Sequence, residues 1–497
     1  NESPSAQYKL PAAQYESPSA QYKLPSAQYK FPAAQYKSPS ARLFCLDFVH
    51  FLAGISPTEA DGDETRGRWA STLALGDGAW AAVLYYCIRV EENPANRSTP
   101  ARLGPTMKTN IFPKNDRKEI FGWMVYDWAN SAFFTTTVGV LIGPYLLGLA
   151  EAAVGADGVI LDLGLFNVTP KGLPAFCTAL SVVSMVIILP ILGAIADYTH
   201  LKKSLMAAFC YAGVIAGGLL FFVTESYIAC SALFIFSSMF FAAANVFYNA
   251  FLIDITTEDK RDKVSSYGYG LGYLSGFIML ILNLIFISNA ESIGISTGTA
   301  VRICFLAAAL WWGAFAAITF YLVKTRGAVK AVPTNKNIVT VGFSELWQTL
   351  KELKRLRYTM LFLIAYLFYN DGIQTVILQS SVFISYELFT SKGLAVDNAF
   401  LITIFGVAQI SAFAGALIFE RIARFIGAKQ TVILSLVIWC GIVIYAYAFF
   451  ATKTQAYVMG AFIGMVLGSA QALSRSLYSQ MIPAGRESSF FGLYEIS

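Results

Sequence analysis

A few polar side chains in this chain stand where apolar ones are the rule. Asp127 and Asn130 lie in YDWANSAFFTTT, Asn370 and Asp371 in LFYNDGIQT, and Arg475 in QALSRSLYSQ. An ionisable group inside an apolar helix is costly, so it tends to face a partner, a pore or a bound solute. The two carboxylates are candidates for binding substrate or a proton. Arg475 is the base lying well inside an apolar stretch; it can hold an anionic group, pair with an acid, or snorkel to water from a helix end. Asn245, Tyr248, Asn249, Gln374, Gln379, Gln409, Gln471 and Ser474 are polar in similar surroundings. Singly, each suits an interhelical hydrogen bond; as a set they outline a polar route. Asp127 follows closely on the start of its stretch, which favours a structural role near water there. Asp371 has an equal claim to either role.

A second kind of chemistry sits at two helix ends. In SVVSMVIILPILGAIADYTHLKK, residues 181–203, an apolar helix is expected to run into a short polar loop carrying Gly193, Asp197, Lys202 and Lys203. In SAFAGALIFERIARFIGAK, residues 411–429, Ala416, Glu420, Arg421, Arg424 and Lys429 repeat the pattern. Such charges must sit in water or pair with neighbours. Two like junctions about 220 residues apart point to internal duplication. A further parallel supports it. DITTEDKRDKVSSYGYGLGY, with Asp254 and Arg261, matches AGRESSFFGLYEIS, with Arg486, in its order of base, acid, paired serines, aromatic and glycine.

The elements that must position these residues follow from composition. The chain is 56% hydrophobic and 13% charged, with a mean hydropathy of +0.56. A soluble domain is about 45–50% apolar and about 25% charged, so most of this chain belongs in lipid. Apolar spans are expected near 123–150, 174–197, 204–223, 228–253, 265–289, 301–323, 358–386, 397–420, 430–450 and 455–480, with an eleventh opening near Phe490. An all-α polytopic membrane protein is the expected class. The net charge of +5 resides in short loops and is no nucleic-acid signal. The cysteines show no paired spacing, and the two histidines are His50 and His200, so neither a disulfide framework nor a metal site is expected. Gly268, Gly270, Gly272 and Gly276 suit close helix packing, not a nucleotide loop.

Residues 5–39 are a tandem heptapeptide with proline in each unit, a pattern that forbids a continuous helix. Met107 opens a basic stretch and has the look of a native start, so 1–106 is set apart as low-complexity and not native. The expected organisation is 107–323 as a six-helix bundle, 324–357 as a linker with an amphipathic FSELWQTLKELKRLR segment, and 358–497 as a second bundle cut short after the start of helix 11. Bases cluster before span one and after spans two, four, six and eight, whereas Lys171, Arg302, Lys392 and Lys453 are sparse on the other side. The positive-inside rule then puts the N-terminus in the cytoplasm.

The residues 193–203 junction resembles the signature between helices two and three of the major facilitator superfamily, with His200 and Leu201 departing from its usual glycine and base. YDWANSAF, YNAFLIDITTEDKRDKVSSYGYGLGYLSG, YLFYNDGIQT and QALSRSLYSQMIPAGRESSFFGLYEIS, in that order across 120–497, are similar to the vacuole-effluxer-like branch, related to autophagy-associated amino-acid exporters. The resemblance implies the major facilitator fold, two pseudo-symmetric six-helix bundles working by alternating access. It implies gates at Asp197 and Glu420 that latch and release helix ends, and amino-acid export as a candidate activity. The reading is a secondary transporter in a plasma, inner or vacuolar membrane, a monomer without cofactor or metal, with a small solute as substrate and protons as candidate coupling ions. No Walker A loop points to ATP as the driving force or to an enzyme. The rivals are a non-transporting sensor or structural membrane protein with the same fold, and a channel.

Overall fold

A computed structural model describes residues 113–164, 167–197, 201–325, 338–394 and 398–495. The tandem repeat, the rest of 1–106, His200 and part of the linker lie outside the described residues.

Helix α1 (Arg117–Phe133) starts where the Asp116 carboxylate accepts from the Lys118 amide at 3.0 Å, satisfying one of the free donors of the first turn. The rod continues as a π-helix over Phe134–Leu141 and then α2 (Ile142–Val154), making a first span of 38 residues. The wider π turn shifts the faces that follow it. Within it, neighbouring threonines meet different helices: Thr135 accepts from Gln409 and Thr136 from Asn283. α2 stops at Gly155, whose φ of 82° ends the helix without strain. A small antiparallel hairpin follows, β1 (Leu161–Asp162) and β2 (Asn167–Val168), which the hydropathy pattern does not reveal.

Helix α3 (Leu173–Asp197) bends by 40° between Val186 and Ile188. Pro190 has no N–H for the carbonyl four residues back, and its ring crowds that carbonyl, so the break falls there. Gly193 and Asp197, expected in a loop, instead occupy the last turns of α3. Asp197, which closes the apolar run, finds its partners in another helix, described below.

The remaining helices are α4 (Lys202–Leu219), α5 (Tyr227–Ile255), α6 (Glu258–Ser288), α7 (Thr297–Leu322), α8 (Ile338–Arg355), α9 (Arg357–Leu388), α10 (Asn398–Ile426), α11 (Ala428–Phe449), α12 (Lys453–Gln480) and α13 (Glu487–Tyr494). Local chemistry sets several starts. Ser226 and Ser296 cap α5 and α7, and Thr452 with Gln455 forms a capping box on α12. Among the described residues nine helices are long and apolar enough to cross a membrane, or ten with bent α3 as one span. Their outer faces expose Val183, Ile215, Ile228, Leu310, Ile444 and Phe462. That much exposed apolar surface is at home in lipid.

One core, with Trp123, Tyr126, Phe133, Phe247 and Trp312, lies in the first half and runs across to Tyr366, Tyr478 and Phe491 of the second. Another, with Ile373, Phe400, Trp439 and Ile463, fills the second. Between the halves α3 packs on α13 and α6 packs on α10 and α12. Counting spans, the second of each half thus meets the fifth of the other, which is the reciprocity a pseudo-twofold axis produces. Linker helix α8 packs against α3, with Thr349 buried and Trp347 and Leu350 left exposed. The end of the bundle that carries α8 is called the linker end below.

Candidate functional site

The site is built on the face where α1 runs alongside α6. Gly268, Gly272 and Gly276 of α6 each receive one polar residue of α1. A Cβ on Gly268 would sit 2.5 Å from Asp127 Oδ2, one on Gly272 2.5 Å from Ser131 Oγ, and one on Gly276 2.6 Å from Thr135 Oγ1. The four-residue glycine spacing therefore serves a polar stripe at matching spacing on α1, and any side chain there would push the stripe away.

Arg475 enters this stripe from α12. It lies five residues before the end of its helix, and Asp127 ten residues after the start of α1. At about 1.5 Å per residue both sit well inside the bundle. Arg475 is 1% exposed and does not snorkel. Its Nη2 donates to Asp127 Oδ2 at 3.2 Å and to the Ser265 carbonyl at 3.0 Å. Nε donates to Ser265 Oγ at 2.9 Å, and Nη1 to Asn249 Oδ1 at 3.1 Å. The guanidinium also faces the rings of Tyr269, Trp123 and Tyr248, with centroids at 4.1, 4.8 and 5.5 Å. Trp123 stacks on Tyr248 and donates from Nε1 to the Tyr248 carbonyl at 2.8 Å. A planar fork of donors between aromatic faces is a task for arginine, not lysine. Asn249 then passes the network on: its amide nitrogen donates to Glu495 Oε1, just past α13.

The polar track continues away from the linker end. Asn130 Nδ2 donates to Asn245 Oδ1 at 3.0 Å, and the Thr135–Gln409 and Thr136–Asn283 contacts follow. Tyr273 donates to Gln471 at 2.7 Å, and Tyr369 shares a 2.6 Å hydrogen bond with Ser474. Asp127, Asn130, Asn245, Tyr248, Asn249 and Arg475 are thus brought together with their neighbours. Asn370 is buried on α9. Asp371 and Gln374 are half-buried and have no side-chain hydrogen bond among the described residues. The rank equivalence of spans one and seven does not bring their acids to one place.

Closer to the linker end, Asp197 accepts from the Ser488 and Ser489 amides, each at 2.9 Å, and from Ser489 Oγ at 2.6 Å. The carboxylate occupies the N-terminus of α13, where free N–H groups and the helix dipole favour an anion. Gly193 makes this fit possible, since a Cβ there would lie 2.2 Å from the Ser488 carbonyl. Lys202 pairs with Asp254 at 3.0 Å, Arg486 with Glu352 of α8 at 2.7 Å, and Arg261 donates to the Ser479 carbonyl at 3.1 Å. Lys203 is half-buried and Arg421 exposed. Glu420 differs from Asp197: it pairs with Arg424 one turn along α10 instead of capping another helix. The two junctions are alike in sequence and unlike in what they hold, because α6 begins seven residues before its paired serines whereas α13 begins one before its own.

Trp123, Tyr269 and Glu495 belong to the site and are not singled out by the sequence, where Ser265 stands out only as one of the paired serines of the repeat. Glu495 carried the usable signal, an acid directly after the apolar run FFGLY.

Two all-α bundles joined by a linker helix, paired reciprocally across a polar seam, define a major facilitator transporter. Solved structures share the fold. A xylose–proton symporter matches with a TM-score of 0.52 at 11% identity, over 76% of this chain and 86% of that one. A human organic anion transporter matches at 0.51 and 12%, over 77% and 90%. The family model described as vacuole effluxer Atg22 like matches residues 115–497. The Bacillus subtilis MFS-type transporter YxiO is 33% identical over 77% of this chain and 85% of its own. Autophagy-related protein 22 of Kluyveromyces lactis is 22% identical over 79% and 87%. The chain belongs to the vacuole effluxer Atg22-like family of integral membrane transporters.

Proposed function

We propose that the chain moves a small solute, with amino acids as the leading class, by alternating access between the bundles formed by 107–323 and 358–497. The observation that carries this reading is the Arg475 network. A fully buried cation on α12 is held by groups of α1, α5 and α6, so the halves are tied across their seam at the linker end. The Asp197 cap on α13 ties them a second time. Opening that end requires both sets of contacts to be released, and a solute binding between the halves is what would favour release. The bases at Lys202, Lys203, Arg261, Lys351 and Lys354 support reading the linker end as cytoplasmic. The closed conformation is then the one open, or able to open, to the opposite side.

The test is flux. Full-length protein is screened by thermal shift against amino acids and small metabolites, since a ligand bound by the native state raises the melting point. The best stabiliser, radiolabelled, is then followed in proteoliposomes. Uptake that depends on an imposed gradient and saturates supports the reading. A stable, ligand-free protein that leaves vesicles impermeable to every candidate overturns it in favour of a sensor or structural role.

A further inference from the structure

Three ionisable side chains meet in the seam, and their charges would not cancel if all three were ionised. Asp127 and Arg475 form a buried ion pair at 3.2 Å, with side chains 8% and 1% exposed. Arg475 spends its described hydrogen bonds on Asp127, Asn249 and Ser265. Among the described residues Glu495 is therefore left without a cation in contact. Its described hydrogen-bond partner is the neutral Asn249 amide. Among the described residues the ionisable groups that face it from the surrounding helices are Arg475 of α12, Asp127 of α1, Tyr269 of α6 and Tyr366 of α9, and Tyr494 precedes it in its own chain. Only one of these is a base, and it already has an acid.

A second carboxylate beside a neutralised pair in a low-dielectric seam is disfavoured in its charged form, both by lost hydration and by the neighbouring carboxylate. A protonated carboxyl resolves the imbalance: its carbonyl oxygen accepts from Asn249 as observed, and no net charge is buried.

We propose that Glu495 binds a proton in the closed conformation, and that this proton is the coupling ion of the transport cycle. The proposal rests on the transport reading above. Loss of the proton breaks the carboxyl O–H bond, passes H⁺ to water in the seam and leaves the electron pair on the carboxylate. The new anion lies one amide away from Arg475. It competes with Asp127 for the guanidinium through Asn249, whose oxygen and nitrogen bridge the two. Drawing Arg475 toward Glu495 removes it from Asp127 and Ser265, which loosens α12 from α1 and α6. Proton release at Glu495 is thereby linked to separation of the halves, and closure to proton uptake.

Infrared difference spectroscopy on the full chain in nanodiscs, titrated between about pH 5 and about pH 9, tests this without knowledge of the substrate. The wild type should show the carbonyl stretch of a protonated carboxylic acid that disappears on alkalinisation. Glu495→Gln, nearly the same shape, should lose that band. In Asp127→Asn, Glu495 becomes the sole counter-ion of Arg475, so the band should again be lost although Glu495 remains. A band that persists in Glu495→Gln, or persists in Asp127→Asn, overturns the assignment. The transport reading fails separately: gradient-driven solute flux that ignores an imposed pH difference removes the proton and keeps the transporter, whereas absence of any flux with the band intact removes the coupling and the transporter together.

Discussion

At the scale of single residues, Arg475 is the side chain on which most depends. A buried ion pair contributes little net stability over an apolar pair, but breaking it from one side strands a charge. Arg475→Met should therefore cost about 3–5 kcal/mol, whereas the double variant Asp127→Leu with Arg475→Met should recover most of that loss. Thermal unfolding in detergent measures both; equal losses in the single and double variants would mean the two residues are uncoupled. Asp116 offers a contrast at the edge of the membrane. The Lys324 ammonium at 2.6 Å, helped by the Lys118 amide, holds its carboxyl below the usual carboxylate range. A lowered carboxyl pKa stabilises the folded state above the unfolded value, and that contribution fades as pH falls through the folded one. The stability of the wild type should thus decline below about pH 4 more than that of Asp116→Asn. The pair is partly exposed to solvent, so the difference should be small and should shrink in high salt.

Among the described elements, α10 and α12 approach each other closely. Gly460, Gly464 and Gly468 recur at four-residue spacing on α12. A Cβ on Gly464 would lie 2.0 Å from the Ala408 carbonyl, and one on Gly468 2.3 Å from that of Ala412. Backbone cannot move aside as a flexible side chain can. Gly464→Val should destabilise by roughly 1–3 kcal/mol or prevent assembly of the second bundle. Gly441→Ala on α11, where a Cβ meets nothing within 4 Å, should leave the melting temperature unchanged or raise it. Comparing the two by differential scanning fluorimetry separates helix propensity from helix contact. A loss of equal size at both sites would show that the α10–α12 approach is not what the glycines serve.

For the whole molecule, the expectation is that the linker end must open and close. Asp197 and Ser489 come within 2.6 Å across the halves, so the pair Asp197→Cys with Ser489→Cys can be bridged by oxidation or by a short dithiol reagent. Bridging should abolish gradient-driven flux, and reduction should restore it. Flux that survives complete bridging would exclude opening at this end. The same experiment bears on Glu420, whose pairing with Arg424 stays within α10; cysteines on α10 alone should have no such effect.

The amino-acid sequence by itself determined where the chain crosses lipid, because a span of about 20 apolar residues is a local property that needs no partner. Most expected span ends lie within four residues of the observed helix ends, but α1 and α6 begin six and seven residues before their spans and α10 ends six after its own. Hydropathy stops at Glu420, but α10 runs on to Ile426, with Arg424 pairing Glu420 one turn along. Polar residues inside apolar runs were equally visible, and so Asp127, Asn249 and Arg475 could be named in advance. Which of them meet was not visible. Arg475 and Asp127 are 348 positions apart, and their contact exists only because α6 presents glycines to α1 and leaves room for α12. Nor could sequence rank have told Asp371 from Asp127, or shown that three consecutive threonines form a π-helix. Tertiary structure alone assigned each buried charge its partner, since in a low-dielectric interior the worth of a charge is set by what lies within a few ångströms of it.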